Sequence, residues 1–200
     1  MYESQSMPNA MRSFDPRRVG RLECTAWVTY YRREWWKFLR AAFALTRHAF
    51  ALSWPATLFG GWLVLRANQL WAPYPDNDPD GARRCMQRFY GLVARRHGET
   101  FDVAEAARLE VEWWRVHRDL QRREAGDEAA LADALAALYA HVYAVPAADV
   151  ARAAQQRALA MRHSDRWVEE GCDRDSPLVP EERAALVRSY AALLAAVHRV

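Results

Sequence analysis

One stretch of the chain places acid, imidazole and amide side chains where a buried face is expected. Residues 101–124 have the pattern of an amphipathic helix that starts after Asp102, with Glu105 three residues later as in a capping box. At about 100° per residue, Glu110, His117 and Gln121 project from the middle of its apolar arc. Polar groups aimed at a core are unfavourable unless each has a partner. These three side chains are therefore the first candidates for a functional site.

Other predicted helices contribute further polar side chains that point inward. Carboxylates and imidazoles that converge from several helices are the usual helical site for iron or manganese. The metal hypothesis takes as its ligands Glu34, Glu110, His117, His141 and Asp165. The groups expected to bind a cofactor or small molecule beside them are Gln69, Gln121 and Arg157.

The spacing of Glu110 and His117, seven residues apart on one helix, resembles that of the haem-oxygenase-like di-metal oxidases. That family forms seven-helix bundles, and some members carry a Glu and a His at this spacing. The resemblance covers one helix and implies a metal-dependent oxidase. The last ligand helix of the family has a His-xxx-Asp-xx-His run, whereas this chain has only His163, Ser164 and Asp165, with His163 facing outward. The correspondence therefore ends at Glu110 and His117.

Two interpretations of the same residues need no metal. In the first, they form a buried salt-bridge network in which Glu110 pairs with Arg157, and His117 pairs with Gln69 or Asp165. In the second, they line a polar pocket for an organic ligand. The sequence leaves the network, the metal site and the ligand pocket open. It contains no HExxH motif, no nucleotide-binding glycine loop and no Ser-His-Asp order that would indicate a nucleophilic enzyme.

A different class of function is indicated by the first predicted helix, at about residues 24–53. One side of it is basic, and aromatic residues lie close by: Arg33, Lys37, Arg40 and Arg47 with Trp35, Trp36, Phe38 and Phe43. A basic, aromatic face is typical of proteins that dock on an acidic partner or an anionic membrane surface. The alternative is that the arginines only solvate the outside of a bundle helix whose aromatic residues are core.

The acidic loop at residues 76–81 matches the opening of a calcium-binding loop. Asp76, Asp78, Asp80 and Gly81 occupy the expected positions, but the twelfth position is Gln87 instead of a bidentate Glu. Asp78 followed by proline also has the pattern of a helix N-cap and first-turn residue. We therefore predict a cap and no calcium response.

Composition and charge limit the remaining possibilities. The chain has 200 residues, 52% of them hydrophobic, and a formal net charge of +3, which is too small to indicate nucleic-acid binding. Its three cysteines are far apart, and no signal peptide is visible, so we expect reduced thiols and a cytoplasmic location. The longest uncharged run, residues 49–65, is interrupted by Pro55, so no transmembrane segment is expected.

The elements that must position these groups are all helical. We predict a flexible N-terminal arm at residues 1–20 and an all-α, single-domain bundle at 21–200, built from about seven helices. The second helix, residues 55–72, is apolar nearly all round and is expected to be the most buried. The sequence thus favours a bundle that binds or acts on a small molecule through Glu110 and His117. The alternative is an interaction protein that docks through its first helix.

Overall fold

Helix-forming segments with clear starts and stops account for nearly all of the folded chain. The computed structural model describes residues 9–122 and 127–198. These residues contain no strand and form eight α-helices in place of about seven, which confirms the all-α prediction. The helices are α1 (Pro16–Tyr31), α2 (Trp35–Ala49), α3 (Trp54–Trp71), α4 (Pro79–His97), α5 (Val103–Arg122), α6 (Glu128–Tyr143), α7 (Ala147–Glu169) and α8 (Leu178–Val197).

The helices pack in chain order, and the last one closes on the first. Each helix from α1 to α7 contacts the next one, and α8 packs along α1. The result is a closed ring of eight helices around one main hydrophobic core. A ring of this kind lets every helix present one face to a common centre. None of the helices in the described part of the chain is both long enough and apolar enough to cross a membrane.

The N-terminal segment is structured well before residue 20. Asp15 caps α1 by accepting hydrogen bonds from the backbone N–H groups of Arg17 and Arg18, so the helix starts at Pro16. Ahead of it, Met11 and Phe14 are buried in the main core, and Arg12 forms an ion pair with Glu99 at 3.3 Å. The predicted arm of residues 1–20 is therefore wrong from residue 9 onward, because its apolar side chains have a core to enter. Residues 1–8 lie outside the described residues.

The first predicted helix, residues 24–53, is in fact two helices. The chain turns between Tyr31 and Trp35, where Arg33 adopts the left-handed conformation with φ of 57°. No glycine or proline marks this position, so the sequence pattern continues through the break. Of the predicted basic face, Lys37, Arg40 and Arg47 lie on α2, and Arg33 lies in the turn before it.

The helix expected to be the most buried, α3, exposes one whole side. Its inner face is held tightly: a Cβ added at Gly61 would overlap the ring of Phe43, and one at Gly60 would press on Phe89. Its outer face carries large hydrophobic side chains that are about half exposed: Trp54, Leu58, Phe59 and Trp62. The prediction that this helix is the most buried is wrong, because α3 packs mainly against α2 and α4, its neighbours in the ring.

Candidate functional site

The centre of the ring contains a cavity of about 170 Å³. Each of the eight helices contributes at least one side chain to its wall. Most of the wall is apolar, but several polar side chains reach it, namely Glu23 from α1, Thr46 from α2, Tyr90 from α4, Glu110 from α5, Tyr139 and Tyr143 from α6, Arg157 from α7 and Tyr190 from α8. An apolar cavity with a few convergent polar groups is the usual form of a small-molecule site.

A buried ion pair holds the polar side of the cavity together. Arg157 donates a hydrogen bond from Nη2 to Oε1 of Glu23 at 2.7 Å, and Glu23 is 1% exposed. The other oxygen of Glu23 accepts a hydrogen bond from Tyr190 at 2.6 Å. Burial opposes the charge on Arg157, but Glu23 and the other neighbours, Tyr139, Tyr190 and Glu110, together outweigh burial and hold the pKa of the guanidinium well above its usual value. Arg157 is therefore charged inside the bundle.

Glu110 lies on the same cavity wall but has different partners. It accepts hydrogen bonds from the Tyr90 hydroxyl at 2.6 Å and from Nε1 of Trp114 at 3.1 Å. Burial raises the pKa of Glu110, while these donors and the charge of Arg157 act in the opposite direction. The predicted ion pair between Glu110 and Arg157 is thus replaced by one between Glu23 and Arg157.

The Tyr139 hydroxyl, on the cavity wall, has no hydrogen-bond acceptor among the described residues. Tyr139 accepts a hydrogen bond from Nη1 of Arg157 at 3.0 Å, which leaves its own O–H as a donor. Buried donors without an acceptor are unfavourable by about 1–3 kcal/mol each. An acceptor atom in the cavity would relieve this cost.

A second polar cluster lies outside the cavity wall, between α5 and α7. Nε2 of His117 donates to Asp165 at 2.9 Å, and Nε2 of Gln121 donates to the other Asp165 oxygen at 2.6 Å. Tyr31 lies nearby. Its burial, and to a smaller extent the charge of Asp165, raise the pKa of the Tyr31 hydroxyl to about 12. The predicted pairing of His117 with Asp165 is therefore present, and it satisfies these side chains without a ligand.

The remaining predicted site residues are dispersed. Glu34 lies at the start of α2 and forms an ion pair with Lys37 at 2.6 Å. Gln69 is exposed and accepts a hydrogen bond from Arg66. Nε2 of His141 donates a hydrogen bond to the backbone carbonyl of Asp102 at 2.8 Å. Among the described residues, no three His, Cys, Asp or Glu side chains are grouped as metal ligands would be. Of the five predicted metal ligands, the structure brings only His117 and Asp165 together, and Glu34, Glu110 and His141 lie apart from them.

The acidic loop before α4 acts as a helix cap, as predicted. Oδ1 of Asp78 accepts a hydrogen bond from the backbone N–H of Gly81 at 2.7 Å. Asp80 pairs with Arg83 within the first turn at 2.8 Å. Both carboxylates thus have partners on α4. In a calcium-binding loop they would point toward the ion instead.

The sequence interpretation missed two buried carboxylates, Glu23 and Glu182. Glu23 lies four residues before Trp27, and Glu182 lies four residues before Leu186, so each extends an apolar stripe that the sequence shows. This spacing is the feature of the sequence that could have predicted the burial of Glu23 and Glu182. The tyrosines that bind Glu23 and Glu110 belong to apolar stripes too, and nothing in their spacing distinguishes them from ordinary core residues.

Glu182 differs from Glu23 because its carboxylate has no hydrogen-bond partner in the part of the chain that the structure describes. It is fully buried beside Cys24, and neither of its oxygens has a hydrogen-bond donor, since the Cys24 thiol points to the carbonyl of Val179 at 3.8 Å. Burial raises the pKa of Glu182 to about 8, with Glu23 acting in the same direction and Cys24 and Arg183 against it. Glu182 is therefore a pH-sensitive group in the core.

Comparisons with protein-family models, curated proteins and solved structures give no match for this chain.

Proposed function

We propose that the protein binds a small organic molecule in the cavity at the centre of its helix ring. The observation that carries this proposal is that the Glu23–Arg157 pair, Glu110 and four tyrosines from three helices meet on one apolar wall. Such a wall recognises a compact, mostly apolar ligand. The Tyr139 hydroxyl, which has no acceptor among the described residues, favours a ligand with an oxygen acceptor.

The volume of the cavity sets the size of the ligand. An apolar cavity of about 150 Å³ in another protein accepts one benzene molecule, and the cavity here measures about 170 Å³. We therefore infer a ligand with about one six-membered ring and a small oxygen substituent. A phenol, a cyclic ketone or a small aromatic acid has this form.

The energetic effect of the cavity also supports a binding role. Mutational series relate residual cavity volume to lost stability at about 24 cal/mol per Å³, which corresponds to an upper limit of about 4 kcal/mol for this volume. Larger side chains at wall positions such as Ala49 or Thr46 would fill this space. Proteins often keep such unfavourable features where they serve binding. The proposal includes no metal, since the five predicted ligands are dispersed.

The first prediction concerns ring-sized probes. In titrations followed by two-dimensional NMR, phenol and benzene should bind saturably and shift the resonances of wall residues on several helices. Ala49→Leu fills the cavity from α2 and should abolish both titrations. Ala44→Leu adds the same side chain on the same helix, away from the cavity wall, and should leave them intact.

The polar part of the proposal is tested by a second variant. Tyr139→Phe removes one cavity donor, so it should weaken phenol binding by about tenfold, in line with one hydrogen bond. It should leave benzene binding nearly unchanged. Equal binding of phenol to the wild type and Ala49→Leu would contradict the proposal, as would shifts confined to the protein surface.

A further inference from the structure

The outer face of α3 presents a group of large apolar side chains to solvent. Trp54, Leu58 and Trp62 follow one another at spacings of four residues and are 58%, 57% and 50% exposed, and Phe59 stacks on Trp62 with ring centroids 6.2 Å apart. Single exposed apolar residues are ordinary, but a continuous stripe on one helix indicates a surface that contacts something else. We call these four residues the α3 apolar face.

Positive charge lies beside this face, and acidic residues are missing from the stretch of chain that carries it. Residues 35–75 contain four basic side chains and no Asp or Glu, the basic ones being Lys37, Arg40, Arg47 and Arg66. The guanidinium of Arg47 lies over the Trp54 ring at 4.1 Å, and that of Arg88 lies over the Phe59 ring at 5.8 Å. Cations thus lie directly beside the exposed rings, where they would meet anionic groups when the rings are covered.

From these observations we propose that the α3 apolar face, with the basic side chains around it, docks on an anionic lipid bilayer. Tryptophan and arginine together are typical of helices that lie at the interface of a membrane, with rings near the headgroups and cations on lipid phosphates. The stripe is carried by one convex helix face, so its rings can enter an interface without a complementary groove. α3 would lie parallel to the membrane surface, since it is not both long enough and apolar enough to cross a membrane.

Charge favours a bilayer over a second copy of the chain. Two α3 apolar faces brought together would place Arg47 and Arg66 of both copies around one contact, and no carboxylate from residues 35–75 would neutralise them. Like charges facing each other oppose association. An anionic bilayer supplies the missing counter-charge over the whole face.

The test uses flotation of the full-length protein with vesicles of phosphatidylcholine alone or mixed equally with phosphatidylglycerol. The wild type should float with the anionic vesicles only, and added salt should reduce binding. Replacing Arg47, Arg66 and Arg88 by Gln should weaken binding by about a hundredfold. Replacing Trp54, Leu58 and Trp62 by Ser should also abolish it, and these exposed positions should leave the fold intact by circular dichroism.

A matched control separates local charge from total charge. Replacing Arg162, Arg166 and Arg188 by Gln, on the exposed surfaces of α7 and α8, lowers the formal charge from +3 to 0, as the first triple variant does. This control should keep most of the binding. Failure of the wild type to float, equal flotation with neutral vesicles or equal loss in both charge variants would overturn the proposal. A dimer that forms through the α3 apolar face without lipid binding would overturn it as well.

Discussion

Replacing Glu23 by Gln is expected to lower the free energy of unfolding by about 3–5 kcal/mol, since it leaves the buried Arg157 cation without its counter-charge. The wild-type carboxylate bonds Arg157 at 2.7 Å and Tyr190 at 2.6 Å, and Gln keeps the shape of the side chain while it removes the charge. Denaturant unfolding of the two proteins at neutral pH measures the difference.

Two further variants make this result specific. The double variant Glu23→Gln with Arg157→Met should recover most of the lost stability, because it removes the stranded cation as well. Glu105→Gln breaks the exposed Glu105–Arg108 pair, which is equally short at 2.7 Å, and should change stability by no more than about 0.5 kcal/mol. A loss below 1 kcal/mol in Glu23→Gln, or no recovery in the double variant, would show that the pair is not what stabilises this side of the cavity.

A second large effect is expected from Glu182 and depends on pH. Burial raises its pKa from 4.5 to about 8 in the folded protein, so between these values the folded protein keeps a proton that the unfolded chain has released. The stability that this group contributes is fully present below about pH 4.5. It is lost as pH rises, by about 1.4 kcal/mol for each pH unit and on the order of 4–5 kcal/mol by pH 8.

Glu182→Gln isolates this contribution, since the amide resembles the protonated acid and does not titrate. The variant should match the wild type near pH 4.5 and become more stable by about 3–4 kcal/mol as pH rises from 5 to 8. The difference between the two proteins cancels other titrating groups, including Glu110, whose pKa is also raised. Glu181→Gln, at the exposed neighbouring position, should show no such trend. A flat difference curve for Glu182→Gln would refute the assignment.

The sequence predicted most helices because their ends are marked locally. Asp78 with Pro79 correctly predicted the start of α4, and Asp102 with Glu105 predicted the start of α5, where Asp102 does accept from the backbone N–H of Ala104. The same signal, Asp15 with Pro16, starts α1 and was not recognised. The break at Arg33 could not be predicted, because it depends on a left-handed residue with no glycine to mark it.

The site was only partly predictable, since a helical pattern shows which way a side chain points but not what it meets. Glu110, His117 and Arg157 do point inward, yet Glu110 and His117 end in separate clusters because different neighbours face each turn of α5. The partner of Arg157, Glu23, lies 134 residues away in the chain, and only the closure of α8 and α7 around α1 brings them together. The exposure of α3 likewise follows from the ring arrangement.

The most direct test of the proposed function is a crystal structure of the protein soaked with bromobenzene, in which anomalous scattering locates the bromine without assumptions about the fold. Our account predicts one strong bromine peak at the centre of the helix ring, within contact distance of Tyr90, Tyr139 or Tyr190. The same soak of Ala49→Leu crystals should show no peak there. Bromine found only on the protein surface, or an equal central peak in the filled variant, would contradict the claim that this cavity is a ligand-binding site.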